Sequence, residues 1–190
     1  MKRLWWLRHG PTHQRAFCGW RDVPADLSDT AALARLSAFL PMAPIVSSDL
    51  LRARQTADAV AQGRQRLPDM PDLREFHFGA WEGKRYDEAE ASHPEIARAY
   101  WETPGDIAAP EGESWNTAAA RVDRAVTGLL PEAAPDLILV AHFGVILTRL
   151  QLALDQSPAQ VIAQPVDNLS VTCLAHDGHR WHAEWINHIP

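Results

Sequence analysis

The 190-residue sequence predicts an α/β fold, with a mostly parallel central sheet, helices on both faces and an antiparallel hairpin at the C-terminal edge. Two observations lead to this prediction. Short apolar segments of strand length are followed, three times along the chain, by segments with the apolar spacing of an amphipathic helix. Two strand-like segments near the C-terminus flank an Asp-Gly dipeptide, which is typical of a tight hairpin. Strands that alternate with helices are usually parallel, because each helix carries the chain back across the sheet.

The first strand is predicted at residues 4–7, where an uninterrupted apolar run contains Trp5 and Trp6. Successive side chains of a strand point to opposite faces of the sheet. Both faces of this strand should therefore be covered, which predicts a central position.

Two helices and a strand follow. A helix is predicted over residues 27–40, with Ser28 and Asp29 as candidate N-terminal caps. A short strand at residues 45–46 leads directly into a second helix over residues 50–62.

Residues 67–113 are less regular, because prolines and glycines interrupt them everywhere except in one helical stretch near residues 86–101. We expect this segment to be an excursion that wraps around the active site. The length of the chain predicts one domain over residues 1–190.

The third strand–helix unit and the hairpin complete the predicted order. Ser114 is expected to cap a helix, with Glu113 as its neighbour at the helix start or, alternatively, at the rim of a pocket. The elements predicted after that cap are a helix over 115–130, a strand over 137–141, a helix over 144–154, and hairpin strands over 169–175 and 180–186. The connection at Asp177 and Gly178 predicts a type I′ turn.

Composition and charge exclude several classes of protein. The net charge is −6, the isoelectric point is near 5.8, and no run of lysine or arginine occurs. A general nucleic-acid binder or a membrane-surface protein is therefore not expected, and any bound anion must be held locally. Cys18 and Cys173 fit neither a metal-ligand spacing nor a disulfide framework, and no apolar stretch approaches 18 residues. We expect a cytoplasmic protein, and the sequence leaves monomer and homodimer open.

Reactive side chains stand where each of the three predicted strands meets its following segment. Arg8 and His9 follow the first strand, Arg52 lies in the first turn after the second, and His142 follows the third. Ligands of open α/β sheets bind beyond the carboxyl ends of the strands, so these four side chains should converge. The glycines beside them, Gly10 and Gly144, are expected to let the backbone approach an anion, and phosphate suits the site.

These residue types suit phosphate-ester hydrolysis through a covalent intermediate. Positive charge from Arg8 and Arg52 should oppose protonation of His9 and keep it a neutral nucleophile. A departing alkoxide needs a proton, and Glu75 and Glu82 are candidates for supplying it. No metal is required. His176, His179 and His182 would point to different faces of the hairpin, so a metal site is not expected there.

Six motifs in order along the chain resemble the histidine phosphatase superfamily, which has the phosphoglycerate-mutase-like fold. They cover nearly the whole chain and are LRHGPT from Leu7, GWRDVPADLS from Gly19, SSDLLRARQTA from Ser47, LREFHFGAWEG from Leu73, GESWNTAAARV from Gly112 and LVAHFGVI from Leu139. The resemblance implies that His9 is the phosphorylated nucleophile. It also implies a phosphate pocket of Arg8, Arg52 and His142, with Glu75 as the proton donor.

The same resemblance implies that Glu82 is less critical and that hydrolysis needs neither a metal nor an organic cofactor. The short spacing between Glu75 and His142 is similar to that of the compact phosphatases. Within them the chain is most similar to α-ribazole phosphatases and broad-specificity relatives, so the expected partner is a small-molecule phosphate ester, with α-ribazole 5′-phosphate first. The alternatives are mutase-type phosphoryl transfer and a phosphate-ester binding protein without turnover.

Three residues depart from the family pattern: Pro11, Arg15 and Phe143. Pro11 is expected in a first helical turn. Arg15 stands where an asparagine often helps to bind phosphate, and it either takes that role or is simply solvated. Phe143 is expected to form an apolar wall of the substrate site or to pack in the core. Three further residues near the corners, Thr12, Trp20 and Trp81, are candidates for substrate contacts, Thr12 alternatively for helix capping.

Overall fold

The computed structural model describes residues 1–130 and 135–190, which form a five-stranded sheet flanked by helices. Its strands are β1 (Lys2–Arg8), β2 (Ile45–Ser47), β3 (Asp136–Ala141), β4 (Val171–His176) and β5 (Trp181–His188). Its helices are α1 (Thr30–Phe39), α2 (Leu51–Ala61), α3 (Tyr86–Ser92), α4 (Pro94–Glu102), α5 (Trp115–Leu129), α6 (Phe143–Leu154) and α7 (Pro158–Val161). No helix in these two ranges is long and apolar enough to cross a membrane.

The strand order is β2-β3-β1-β4-β5, which places β1 at the centre. Strand β3 runs parallel to both β1 and β2, whereas β4 runs antiparallel to β1 and β5 antiparallel to β4. The predicted fold class, a parallel core with an antiparallel C-terminal edge, is therefore confirmed. Because β1, β2 and β3 are parallel, their carboxyl ends meet at one edge of the sheet.

Both faces of the sheet are covered, as the neighbouring tryptophans of β1 predicted. One hydrophobic core lies between the sheet and helices α1 and α2, and the sheet contributes Leu7, Ile138 and Val140 to it. The second core lies between the opposite face and helices α5 and α6, and the sheet contributes Leu4, Trp6 and Leu139. Trp6 is fully buried, and half-buried Trp5 packs edge-on against Phe39 with ring centroids 5.9 Å apart. The period of two along β1 and β3 thus builds two cores from adjacent residues.

Of the two candidate caps of α1, Asp29 is confirmed and Ser28 is not, and the predicted cap of α5, Ser114, is confirmed. The Asp29 side chain accepts a hydrogen bond from the backbone N–H of Ala32, and the Ser114 hydroxyl accepts one from Thr117. Each cap provides an acceptor for a backbone donor that the first helical turn leaves unpaired.

The single helix predicted near residues 86–101 is wrong, because the structure has two helices, α3 and α4, that meet at His93. Pro94 begins α4, and the backbone angles of His93, φ −145° and ψ 64°, are not helical. The proline ring disfavours helical angles at the preceding residue and removes one N–H, so α3 ends there.

The predicted hairpin is present, but the type I′ turn is wrong. His176 pairs with Trp181, so four residues connect the strands, and Gly178 has a positive φ (+105°) whereas Asp177 does not. The Asp177 carboxylate accepts hydrogen bonds from the backbone N–H groups of His179 and Arg180. An aspartate that bonds the backbone ahead of it stabilises this longer turn instead of the two-residue one.

No helix follows β1 directly, so Pro11 does not lie in a helical turn and Thr12 does not cap one. Residues 9–29 form an irregular segment that ends at α1. Within it the Pro11 carbonyl accepts a hydrogen bond from the backbone N–H of Asp26 at 2.6 Å, which closes the segment into a loop. This loop forms part of the wall around the end of β1.

The two-core arrangement makes a stability prediction. Replacement of Leu139, which is fully buried between the strands and α5–α6, by alanine leaves a cavity and should lower the free energy of unfolding by about 2–5 kcal/mol. Leu152→Ala removes the same atoms from a side chain that is 48% exposed and should change the free energy by less than about 1 kcal/mol. Urea unfolding of both variants measures the difference, and equal losses would contradict the assignment of the core.

Candidate active site

The carboxyl ends of β1, β2 and β3 bring four sequence-predicted residues together. Arg8 ends β1 and His9 follows it, Arg52 is the second residue of α2, and His142 lies between β3 and α6. The rings of His9 and His142 have centroids 5.1 Å apart and are tilted by 59°. Arg52 lies in hydrogen-bonding contact with His9. The predicted convergence of two imidazoles and two guanidiniums is therefore seen in the structure.

Two hydrogen bonds fix the tautomer of His9. Its Nδ1 lies 2.7 Å from the Gly10 carbonyl oxygen, which can only accept, so Nδ1 carries the proton. Its Nε2 accepts a hydrogen bond from Arg52 Nε at 3.2 Å. The Nε2 atom therefore holds the lone pair that a nucleophile needs.

Burial and neighbouring cations keep His9 neutral. Its side chain is almost fully buried, and burial together with Arg52 and Arg8 lowers its pKa to about 3. A cation so close opposes a second positive charge on the ring. At neutral pH the imidazole is therefore uncharged.

His142 is fully buried, and neither ring nitrogen has a hydrogen-bond partner among the residues that the structure describes. Burial, followed by Arg52 and His9, lowers its pKa well below the usual histidine value. A buried polar group without a partner costs about 1–3 kcal/mol. Such a group in a native protein is typical of a site where function requires it.

The two arginines are held in different ways. Arg52 is fully buried, and its two Nη atoms donate to the carbonyls of Cys18, Gly19 and Arg21 in the loop after β1. Arg8 Nη1 donates to the Val166 carbonyl at 2.6 Å, whereas its buried Nε has no partner in the described part of the chain. Burial lowers the pKa of Arg8 from its usual value, but an arginine remains charged at neutral pH.

A cavity of about 320 Å³ opens above Arg8, His9 and Arg52, whereas the fully buried His142 does not line it. The sequence-predicted residues that line it are Arg8, His9, Thr12, Arg15, Arg52, Glu75 and Phe143. Phe17 and Phe78 add apolar wall, and exposed Tyr86 lies at the mouth. The cavity therefore has a cationic floor and partly aromatic walls.

Glu75 is buried and points its carboxylate at the start of α6. Its Oε1 accepts a hydrogen bond from the backbone N–H of Phe76 at 3.0 Å, and its Oε2 accepts one from Gly144 at 3.1 Å. A Cβ atom on Gly144 would lie 2.6 Å from Oε1. Gly144 therefore makes room for the carboxylate of the protein and not, as expected, for a bound anion.

Gly10 is crowded in the same way, since a Cβ atom there would lie 2.7 Å from the Leu27 side chain. Its backbone N–H donates to the Thr56 hydroxyl at 2.9 Å. The expected approach of this backbone to a ligand is wrong, because the loop itself fills the space.

The second candidate acid, Glu82, is engaged elsewhere. Its carboxylate accepts hydrogen bonds from the backbone N–H groups of Gly19, Trp20 and Phe78 at 2.7–3.3 Å. Glu82 therefore holds two loops together and does not line the cavity of His9.

Neither of the two tryptophan candidates lines that cavity. Trp81 is fully buried in the core, so its proposed substrate contact is wrong. Trp20 is 37% exposed, lies under the Arg74 guanidinium and donates its indole N–H to the Glu75 carbonyl at 2.8 Å. It supports the backbone of Glu75 and is not part of the cavity lining.

Two residues that support the backbone at His9 and Gly10 were missed by sequence reasoning. Thr56, one helical turn after Arg52, donates its hydroxyl to the Arg52 carbonyl while it accepts from Gly10. Asn168 donates its side-chain amide to the His9 carbonyl at 2.8 Å. The turn spacing after Arg52 could have indicated Thr56, whereas nothing local to Asn168 indicates a contact 159 residues away.

Three known proteins resemble the chain over most of its length. The bifunctional protein Rv2228c of Mycobacterium tuberculosis is 35% identical over 198 residues, which are 93% of this chain and 51% of that protein, so the chain spans about half the length of this relative. The adenosylcobalamin/alpha-ribazole phosphatase of Salmonella typhimurium is 32% identical over 156 residues, 76% of this chain and 75% of the relative. Among solved structures, the mycobacterial glucosyl-3-phosphoglycerate phosphatase Rv2419c has a TM-score of 0.84 and 29% identity over 100% of both chains.

A family model described as "Histidine phosphatase superfamily (branch 1)" matches residues 4–189. The match extends over all six motifs and over each strand of the sheet. The resemblance inferred from the sequence is thereby confirmed, and the chain belongs to branch 1 of the histidine phosphatase superfamily.

Proposed function

We propose that the protein is a phosphomonoesterase that acts through a phosphohistidine at His9 on small phosphorylated metabolites. One observation carries the proposal: His9 is neutral, its Nε2 lone pair is fixed by tautomer, it lines an open cavity, and its ring centroid lies 5.1 Å from that of His142, which has no hydrogen-bond partner in the described part of the chain. A phosphoryl group placed there would supply acceptor oxygens to the unpaired donors of Arg8 and His142.

In the first half-reaction, His9 Nε2 attacks phosphorus and the bond from phosphorus to the ester oxygen breaks. The carboxyl group of Glu75 gives its proton to that oxygen, and the alcohol leaves. The Arg52 N–H that bonds Nε2 in the free protein is then available to a phosphoryl oxygen. Each cation–anion pair at about 4 Å is worth about 4 kcal/mol at an effective dielectric constant of 20, so the arginines can stabilise the transferring group.

In the second half-reaction, a water molecule attacks the phosphorus of phosphohistidine. Its proton passes to the Glu75 carboxylate, the nitrogen–phosphorus bond breaks, and the electron pair returns to Nε2. Inorganic phosphate leaves, and Glu75 is again protonated for the next cycle. The two steps balance without a metal ion or an organic cofactor.

The preferred substrate that we propose is α-ribazole 5′-phosphate. The named activity of the Salmonella relative supports this choice. The aromatic walls from Phe17, Phe78 and Phe143 support it as well, because they suit a flat ring in the leaving alcohol.

The nucleophile makes the first prediction for this site. His9→Ala should lower the hydrolysis of p-nitrophenyl phosphate by at least about 10³-fold and abolish labelling of the protein by a ³²P-phosphate ester. His179→Ala, which changes an exposed hairpin histidine, should leave both unchanged. Turnover in the presence of EDTA should equal turnover without it. A metal-dependent rate, or label that persists in His9→Ala, would contradict the mechanism.

The lowered pKa of His9 makes a pH prediction. An unfolded histidine titrates near pH 6.5, whereas His9 in the folded protein has a pKa of about 3. Its contribution to stability is therefore complete above pH 6.5 and is lost as the pH falls from about 6.5 toward 3. Nitrogen-15 NMR of the imidazole should show neutral His9 with a protonated Nδ1 from pH 8 down to pH 5. A protonation step of His9 near pH 6.5 would be incompatible with this environment.

The substrate proposal is tested by specificity constants. A panel of α-ribazole 5′-phosphate, glucosyl-3-phosphoglycerate and sugar phosphates should give the highest kcat/KM for the first. Phe143→Ala should reduce that preference, because it removes part of the aromatic wall. A higher constant for a sugar phosphate would reject the proposed substrate but leave the reaction intact. Interconversion of 2- and 3-phosphoglycerate would assign mutase chemistry instead.

A further inference from the structure

We propose that Arg121 is a positioning residue, which holds Glu75 where it can protonate the leaving alcohol. This inference rests on the proposed function, since it assumes that Glu75 is the acid. Arg121 lies on α5, is not among the catalytic and phosphate-binding residues predicted from the sequence, and does not line the cavity of His9. Any effect on the reaction must therefore pass through other residues.

A single guanidinium binds three backbone carbonyls around Glu75. Arg121 Nη1 donates to the carbonyls of Asp72 and Arg74, each at 2.9 Å, and Nη2 donates to the carbonyl of Glu75 at 3.3 Å. The Arg121 side chain is only 8% exposed, so water competes little for these donors. The planar guanidinium thus fixes the positions of three backbone carbonyls in residues 72–75.

Glu113 orients this guanidinium. It accepts from Arg121 Nε at 2.8 Å and from Nη2 at 2.7 Å, a bidentate pair in a poorly solvated position. Its Oε2 also accepts a hydrogen bond from the backbone N–H of His77 at 2.9 Å. The Arg121–Glu113 pair therefore binds the backbone on both sides of Glu75. Glu113 itself lies at the start of α5 and does not line the cavity, so its alternative place at a pocket rim is not seen.

The backbone at Glu75 needs such support, because it belongs to no helix or strand. It lies between the short 3₁₀ turns at Pro71–Leu73 and Gly79–Trp81, so no regular backbone ladder sets its position. Its carbonyl is bound by Arg121 and by the Trp20 indole, while its carboxylate must still meet Gly144. An error of about 1 Å in the place of a catalytic group can cost about 10²-fold in rate.

A buried ion pair could equally serve stability alone, and a matched control separates the two roles. Arg149 on α6 is also a buried arginine, paired with Asp123 at 2.9 Å, but it makes no hydrogen bond to the segment of Glu75. Variants at Arg149 reproduce the loss of a buried guanidinium without disturbing the carbonyls of residues 72–75. Only Arg121 variants should then alter acid catalysis.

The experiment uses the dependence of kcat/KM on the leaving group. p-Nitrophenyl and phenyl phosphate are similar in shape, but phenolate is the poorer leaving group and depends more on a proton donor. Glu75→Gln should lower kcat/KM for phenyl phosphate by about 10²-fold and for p-nitrophenyl phosphate much less. Arg121→Lys keeps a charge beside Glu113 but lacks the planar guanidinium, and it should lower kcat/KM about tenfold for phenyl phosphate and less than about threefold for p-nitrophenyl phosphate.

The controls decide between positioning and stability. Arg149→Lys should affect the two esters equally, and Arg121→Lys added to Glu75→Gln should produce no further change in the ratio of the two constants. Arg121→Met is a harsher change, and if it fails to fold the lysine variant still gives the result.

Two results would overturn the inference: equal losses on both esters in Arg121→Lys, or an additional ratio change in the double variant. Failure of the proposed function looks different. In that case the wild-type protein hydrolyses neither ester, or Glu75→Gln itself shows no leaving-group selectivity.

Discussion

The hydrogen bond from Arg52 to His9 is the interaction on which the rest of the site depends. It binds the one nitrogen that must stay unprotonated in the proposed mechanism, and it places a permanent cation where a second positive charge is unfavourable. Arg52 can serve in this way because it is itself fixed by three loop carbonyls and by the start of α2. A buried guanidinium without those acceptors would carry a large desolvation cost. The loop after β1 and His9 are therefore parts of one network.

The charge of the site contrasts with the charge of the chain. The protein is acidic overall, with a net charge of −6, yet Glu75 is the only carboxylate among the described residues that line the cavity. Three guanidiniums, those of Arg8, Arg15 and Arg52, leave the lining with an excess of positive charge, which a phosphoryl dianion would balance. In the proposed function, selectivity for an anion would arise from local placement at strand ends and would need no basic surface.

Features encoded within a few neighbouring residues could be predicted from the sequence. The alternation along β1, the caps Asp29 and Ser114, and the reactive residues at the three strand ends are all local patterns, and the parallel sheet then required those ends to meet. Pro94 also indicates the end of a helix, but the helical spacing of apolar residues on both sides of it favoured one continuous helix.

What the sequence could not predict depends on contacts between distant segments. Asn168 donates a hydrogen bond to the carbonyl of His9, 159 residues away in the sequence, and Arg121 donates one to the carbonyl of Glu75, 46 residues away. No local sequence pattern identifies either partner. Gly10 and Gly144 were recognised as close approaches, but the atoms that approach them belong to the protein itself. Gly144 illustrates the limit, since only the folded chain shows a carboxylate where a ligand was expected.

The irregular loop over residues 9–29 separates two kinds of evolutionary change. Its first residue is His9, the proposed nucleophile, which is held by Arg52 and Asn168, whereas Thr12, Arg15 and Phe17 further along it face the cavity. Substitutions in the outer part can therefore remodel the space for the leaving alcohol while the phosphoryl-transfer apparatus stays in place. Such a division accords with the names of two similar proteins, an adenosylcobalamin/alpha-ribazole phosphatase and a glucosyl-3-phosphoglycerate phosphatase.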